Sequence, residues 1–246
     1  MRVFVFIPTR MDSKRLPGKP MLEVAGKKVI EHCYETTRCS GFRPIILTPD
    51  EPIWRYMFIQ KRATCFIVKS ECRNGTERCF KAANLIPDIQ DDDIIVNVQG
   101  DNIFYDYRIL EEIVDVLKSE KNLTCLTVFT SLKKQLQNCH NVVKVFIEVG
   151  PRRYLKAVEF SRISTSREGL TSHRHVGIYA YPFWGLKKYM QLSPTIREQE
   201  ISLEQLRLID NGIEIGAVKT DIPPISIDVP EDIAIAENRL LELRHG

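Results

Sequence analysis

Two carboxylates and one basic turn are the residues of this 246-residue chain best suited to chemistry. Asp101 closes the apolar run Ile94-Ile95-Val96-Asn97-Val98-Gln99-Gly100-Asp101, and Asp228 closes another, Ile225-Ser226-Ile227-Asp228, far along the chain. Acids at the carboxyl ends of parallel strands face a common crevice. A pair of them can hold one Mg²⁺, which takes one or two protein carboxylates and fills its shell with phosphate oxygens and water. The third feature follows the run Val3 to Ile7, where Arg10, Lys14, Arg15 and Lys19 stand among turn residues up to Pro20. Arginine offers forked donors that match phosphate oxygens, lysine adds a compact charge, and Gly18 lets the backbone approach a ligand. Together these features suit nucleotidyl transfer, in which cations neutralise a triphosphate and a metal steadies the phosphoryl group under attack.

A second candidate is Arg73-Asn74-Gly75-Thr76-Glu77-Arg78, a turn that feeds a helix. The first amides of such a helix can donate to an anion or to a pyrimidine edge, although Asn-Gly-Thr-Glu also reads as an ordinary capped turn. Gln99 and Gly100 bring an amide and an open backbone to the crevice of Asp101. Asp228 has a rival reading as the N-terminal cap of a helix opened by Pro230. The run Asp91 to Asp93 reads as an exposed turn.

The elements that must hold these residues follow from periodicity. Short β-branched runs at Val3 to Ile7, Pro44 to Thr48, Cys65 to Val68 and Ile94 to Val98 alternate with amphipathic stretches at Val29 to Cys39, Pro52 to Arg62, Thr76 to Leu85 and Tyr107 to Leu117. That alternation predicts an α/β fold, a doubly wound and mostly parallel sheet of the Rossmann-like type. Strands then cluster at Leu123 to Phe129, Val142 to Glu148, Tyr154 to Phe160 and His175 to Tyr181, which predicts a small antiparallel extension. Helices return at Phe183 to Leu192 and Glu198 to Asn211, the latter stopped by Gly212. A strand at Ile213 to Val218, the breaks at Pro223 and Pro224, the run Ile225 to Asp228 and a last helix from Pro230 complete the chain. With no linker in view, residues 1–246 are expected to form one domain, with a dimerisation or sugar-binding extension at about 123–192.

Composition narrows the partners. A net charge of +3, with 43% apolar and 27% charged residues, is globular and too weakly basic for a general nucleic-acid binder, so a small anionic ligand fits better. The first apolar run is too short for a signal peptide or a membrane span, which predicts a cytoplasmic protein without membrane insertion. Seven cysteines, at 33, 39, 65, 72, 79, 125 and 139, contain no Cys-x-x-Cys pair and read as reduced thiols.

Taken in order, several segments resemble the 3-deoxy-D-manno-octulosonate (Kdo) cytidylyltransferases, or CMP-Kdo synthetases. They are Ile7-Pro8-Thr9-Arg10, Arg15-Leu16-Pro17-Gly18-Lys19-Pro20, Asn74-Gly75-Thr76-Glu77-Arg78 and Val96-Asn97-Val98-Gln99-Gly100-Asp101, followed by Asn141-Val142-Val143-Lys144-Val145 and Phe160-Ser161-Arg162. Arg174-His175-Val176-Gly177-Ile178-Tyr179-Ala180-Tyr181, Leu203-Glu204-Gln205-Leu206-Arg207 and Asp228-Val229-Pro230-Glu231-Asp232 continue the match to nearly the whole chain. The resemblance implies a nucleotidyltransferase fold, a cytoplasmic homodimer, and condensation of CTP with an eight-carbon sugar acid to give a CMP-sugar and pyrophosphate for lipopolysaccharide or other surface polysaccharide. By similarity, Arg10, Ser13, Arg15 and Lys19 bind the triphosphate, and Gly75, Thr76, Arg78 and Gln99 help to read cytosine and ribose. Asp101 and Asp228 hold Mg²⁺ and, with Lys19, form the catalytic group. Arg162, His175, Tyr179, Glu204 and Gln205 match positions that surround the sugar acid.

Departures from the family pattern bear on substrate identity, and Asn102 removes a charge beside the metal. The usual Gly-Asp-Glu-Pro is Gly100-Asp101-Asn102-Ile103, Ser-Gly-Thr is Asn74-Gly75-Thr76, Tyr-Phe-Ser-Arg is Glu159-Phe160-Ser161-Arg162, and Asn-Pro-Asn is Cys139-His140-Asn141. The stretch from Ile163 to Arg174 is short and lacks the usual Ile-Pro. Two alternatives stay open on these grounds: the same chemistry on another sugar acid, such as an amino-octulosonate, and a nucleotide-binding homologue without turnover.

Overall fold

The computed structural model of the chain describes residues 1–13, 15–69, 71–163 and 170–245. In chain order the strands are β1 (Val3–Pro8), β2 (Glu23–Val24), β3 (Lys27–Lys28), β4 (Pro44–Thr48), β5 (Thr64–Ile67), β6 (Ile94–Val98), β7 (Asn102–Phe104), β8 (Cys125–Thr130), β9 (Lys144–Glu148), β10 (Leu155–Ser161), β11 (Thr171–Pro182), β12 (Ile215–Lys219) and β13 (Ile225–Ser226). The α-helices are α1 (Val29–Arg38), α2 (Glu51–Trp54), α3 (Gly75–Ala83), α4 (Ile109–Ser119), α5 (Phe183–Gln191), α6 (Ile196–Ile201), α7 (Leu206–Asp210) and α8 (Glu231–His245). They form two compact units. The first holds Phe4–Ile86, Asn97–Tyr107 and the chain from Pro224, and the second holds Met1–Val3, Pro87–Val96 and Arg108–Pro223.

In the first unit, β1, β4 and β5 are parallel and run in the order β5-β4-β1. Val29, Ile30 and Cys33 on α1 are buried, the face that spacing marked as apolar, and the helix packs against β4 and β7. Asn74 caps α3 by accepting from the Glu77 N–H at 2.9 Å, and Glu77 returns a carboxylate oxygen to the Arg73 N–H at 3.0 Å. A short antiparallel pair, β7 with β13, sets Phe104 beside Ile225, and the Ile227 N–H donates to the Asp101 carbonyl at 3.1 Å. This ladder, with the cluster of Val24, Val29, Ile103, Ile225, Ile227 and Ala236, joins segments more than a hundred residues apart. Leu16 and Leu22 pack on the same cluster and tie the basic turn to it. Each buried aliphatic side chain of this kind contributes about 1.5–3 kcal/mol.

The second unit carries the strand order β11-β8-β12-β10-β9, with β9 also paired to β11. β8 and β12 are parallel, while β8–β11, β9–β10, β9–β11 and β10–β12 are antiparallel. The strand pairings of the molecule are therefore mixed. The antiparallel cluster lies where strands without intervening helices predicted it. On α4, Ile109, Leu110, Ile113, Val114 and Leu117 are buried, as their spacing of three and four requires.

Two helices depart from expectation. The helix predicted over Glu198 to Asn211 is two, α6 and α7, because Ser202 adopts φ 52° and ψ 54°, a left-handed conformation that a right-handed helix cannot pass through. The helix predicted over Pro52 to Arg62 widens after Trp54 into a π turn, closed by the Lys61 N–H on the Tyr56 carbonyl at 3.1 Å. Four cysteines, Cys33, Cys72, Cys79 and Cys125, are buried as small hydrophobes. Among the described residues no helix is long and apolar enough to cross a membrane.

At Gly185 in α5, an added Cβ would stand 2.4 Å from the Thr124 carbonyl oxygen. An exposed helical Gly→Ala change normally gains about 1 kcal/mol, but overpacking against backbone costs about 1–3 kcal/mol. Gly185→Ala should therefore lower the urea midpoint, and a raised midpoint would show that α5 has room at this point.

Candidate active site

The first unit gathers the acids and the basic turn around one ammonium group. Lys19 Nζ donates to Asp101 Oδ2 at 2.7 Å and to Asp228 Oδ1 at 3.3 Å, and Arg15 Nη2 donates to the same Asp228 oxygen at 2.7 Å. Lys19 can take this place because Gly18 stands at φ 72° and starts a short 3₁₀ turn, Lys19–Met21, in which Pro20 is pre-set for helical φ. The turn folds back on itself through Ser13 and Gly18 N–H groups that both donate to the Met11 carbonyl at 2.9 Å.

Burial and charge compete in this triangle. The side chains of Lys19, Asp101 and Asp228 are 12%, 23% and 19% exposed. Burial works against the Lys19 charge, but Asp101 and Asp228 outweigh it and raise the ammonium pKa above its ordinary value. Burial pushes the Asp228 carboxyl up, and the like charge of Asp101 pushes it further, against Lys19 and Arg15. Burial leads the upward shift of Asp228, and the two carboxylates face the two cations Lys19 and Arg15.

Asp228 does not cap α8. Its own N–H and that of Val229 donate to Asp232 Oδ2 at 2.7 and 3.0 Å, so Asp232 serves the backbone and the Asp228 carboxylate faces Lys19. Asp50, which sequence reasoning passed over, braces the turn by accepting from the Met11 N–H at 2.8 Å. Its signal was the one that marked Asp101, an acid following a buried strand, here β4.

The remaining nucleotide candidates lie in the same unit. Arg10 is exposed, and its positive charge helps to lower the Arg78 pKa, an effect led by burial. Arg78 is buried, with Nη1 on the Val68 carbonyl at 2.9 Å. Gly75 opens α3, and buried Thr76 accepts from Asn97 Nδ2 at 3.3 Å. The Gln99 carbonyl accepts from the Asn102 N–H at 3.0 Å. Lys14 lies outside the described residues.

The second unit brings together the residues matched to the sugar acid. Tyr179 donates its hydroxyl to Gln205 Oε1 at 3.1 Å, and its ring lies 5.3 Å from that of His175. Buried Glu204 adds a negative charge that, after burial, raises the Tyr179 pKa, and Arg162 acts in the opposite direction. His175 Nε2 lies 2.9 Å from Thr127 Oγ1. The single hydroxyl proton of Thr127 is given to the Ile178 carbonyl at 2.8 Å, so Nε2 carries the histidine proton and Nδ1 is left as an acceptor. Burial holds the His175 pKa down at about 3, which keeps the ring neutral. Arg207, wholly buried, pairs with Glu198 at 2.6 and 2.8 Å and lies over the Tyr189 ring at 4.3 Å, which fixes α7 directly after Glu204 and Gln205.

Residues 4–215 match the family model described as cytidylyltransferase. The 3-deoxy-manno-octulosonate cytidylyltransferase of Syntrophobacter fumaroxidans is 33% identical over 242 residues, covering 95% of this chain and 94% of its own length. That of Actinobacillus succinogenes is 32% identical over 246 residues, covering 93% and 94%. A solved structure of CMP:2-keto-3-deoxy-manno-octonic acid synthetase complexed with CTP aligns with a TM-score of 0.85 at 26% identity, over 99% of this chain and 100% of that one. Apo UDP-glucose pyrophosphorylase, at TM-score 0.68 and 12% identity, over 99% of each chain, shares the fold alone. With a family model over most of its length and relatives above 30% identity over nearly all of it, this chain belongs to the 3-deoxy-manno-octulosonate cytidylyltransferases, nucleotidyltransferase enzymes of the α/β class.

Proposed function

We propose that the chain condenses CTP with 3-deoxy-manno-octulosonate to give the CMP-sugar and pyrophosphate, as a cytoplasmic homodimer serving lipopolysaccharide or related surface polysaccharide. The observation that carries this reading is the Lys19 ammonium held by Asp101 and Asp228 on the turn that also bears Arg10 and Arg15. In the reaction, the anomeric hydroxyl of the sugar attacks the α-phosphorus in line and the bond to the β-phosphate breaks. Arg10, Ser13, Arg15 and Lys19 face the triphosphate and offset charge on the departing pyrophosphate. Gly75 and Thr76, at the start of α3, with Arg78 and Gln99, read the nucleoside.

Asp101 and Asp228 suit Mg²⁺, since both present hard carboxylate oxygens toward one point, the Lys19 ammonium. When bound, the ion would polarise the α-phosphate and lower the pKa of a coordinated hydroxyl, so the protein need not supply a histidine base. On the sugar side, Glu204 and Gln205 bond ring hydroxyls, and Tyr179 and the neutral His175 present uncharged hydrogen-bonding groups. Arg162 supplies positive charge near the sugar carboxylate.

Pyrophosphate release from CTP with 3-deoxy-manno-octulosonate tests the reading, and a strong preference for another sugar acid would overturn the substrate. Asp101→Asn should cut turnover at least about a hundredfold while the protein stays folded; near-normal rates would refute the acid's role. Lys19→Met leaves Asp101 and Asp228 facing each other, and should cost about 1–3 kcal/mol in thermal unfolding without ligand. Adding Asp228→Asn should restore much of that loss, and an unchanged melting temperature in the single variant would contradict the charge triangle. His175 takes up a proton in the unfolded chain near its ordinary pKa but not in the native one, so stability falls as pH drops below about 6.5. His175→Gln should remove about 1 kcal/mol of the loss between about pH 7 and 5.5, and an unchanged pH slope would show that the native ring protonates freely.

A further inference from the structure

Lys144 is a buried cation that the proposed chemistry leaves unused. It opens β9 with no measurable exposure, and its ammonium donates to the carbonyls of Cys139 at 2.6 Å and Arg162 at 2.9 Å. Among the described residues no carboxylate lies within ion-pair distance of it. Burial lowers its pKa, and the positive charge of Arg162 acts in the same direction. Such a group costs several kcal/mol to desolvate, and a methionine of similar length would be easier to bury. A lysine here therefore needs a reason beyond packing.

The connections of Lys144 supply one. It sits where three strands meet, opposite Ser161 on β10 and Arg174 on β11, and the His175 N–H donates to the Val143 carbonyl beside it at 2.9 Å. The Arg162 backbone that it holds carries a guanidinium spread over three further carbonyls. Nε donates to Ile201 at 2.9 Å, Nη1 to His140 at 3.3 Å and Nη2 to Ser202 at 3.4 Å. Ile201 ends α6 and Ser202 is its left-handed cap, two residues before Glu204. Lys144 and Arg162 thus tie the loop before β9, the end of β10 and the turn that delivers Glu204 and Gln205.

We propose that Lys144 is a positioning residue for the sugar-acid side of the reaction: it fixes the Arg162 backbone, and the Arg162 fork fixes the Ile201–Ser202 turn that sets Gln205 against Tyr179. The functional half of this inference rests on the substrate reading above, while the mechanical half stands alone. Lys144→Met keeps the length and removes the donors, leaving two carbonyls without their cation.

Two readouts on the full-length variant test it. Hydrogen exchange should show amides of residues 203–207 losing protection about tenfold while α1 and α3 stay as in the wild type. The KM for 3-deoxy-manno-octulosonate should rise about tenfold with the KM for CTP nearly unchanged. Wild-type protection over residues 203–207 overturns the proposal, as does a uniform loss of protection or a fall in kcat with both KM values intact, the mark of a purely structural lysine. Failure of the wild type to use this sugar acid would count against the substrate, and exchange alone would then decide the role of Lys144. Should Lys144→Met fail to fold, Lys144→Gln, which keeps a polar end but shortens the side chain and loses the cation, is judged by the same two measurements and the same outcomes.

Discussion

One ammonium group between two carboxylates organises the first unit of this molecule. Lys19, Asp101 and Asp228 come from three distant stretches, and the contacts that unite them do separate jobs. The β7–β13 ladder and the Ile103, Ile225 and Ile227 cluster bring the two acids together, and Leu16 brings the turn. Hydrophobic packing here overcomes like-charge repulsion, since unit charges 4 Å apart interact by about 4 kcal/mol at an effective dielectric near 20. Lys19 and Arg15 offset that repulsion, and burial leads the upward shift of Asp228.

The second unit is built on another principle. Two of the contacts among the residues matched to the sugar acid join neutral groups: Tyr179 with Gln205, and His175 with a threonine whose proton is already committed. Neutrality follows from burial, which holds the imidazole near pKa 3 and raises the tyrosines. The strong ion pair, Arg207 with Glu198, lies behind this layer and holds α7 in place. Such an arrangement suits the hydroxyls of a sugar, which need directional donors and acceptors more than charge.

Much of this was legible in the residues. The runs at Pro44–Thr48 and Ile94–Val98 are strands over the expected bounds, because continuous β-branched sequence between turn residues has little alternative. The approach of Asp101 to Asp228 was legible from strand-end acids and a basic turn, and the capping rival for Asp228 failed because Asp232 took that role. The break at Ser202 was hidden, since its apolar spacing continues through it and only the backbone conformation reveals the turn. Lys144 was hidden for a different reason: a lysine at the start of a strand reads as solvated until its carbonyl partners are seen. Strands as short as β7 carry too few residues to show a period.

The most direct test of the central claim is calorimetric titration of CTP with and without Mg²⁺ into the wild type and into the Asp101→Asn, Asp228→Asn double variant. Magnesium should tighten CTP binding to the wild type about tenfold or more and leave the double variant nearly unaffected, with its metal-free binding kept or improved by the lost repulsion. Equal magnesium dependence in both proteins would place the metal elsewhere and contradict the account.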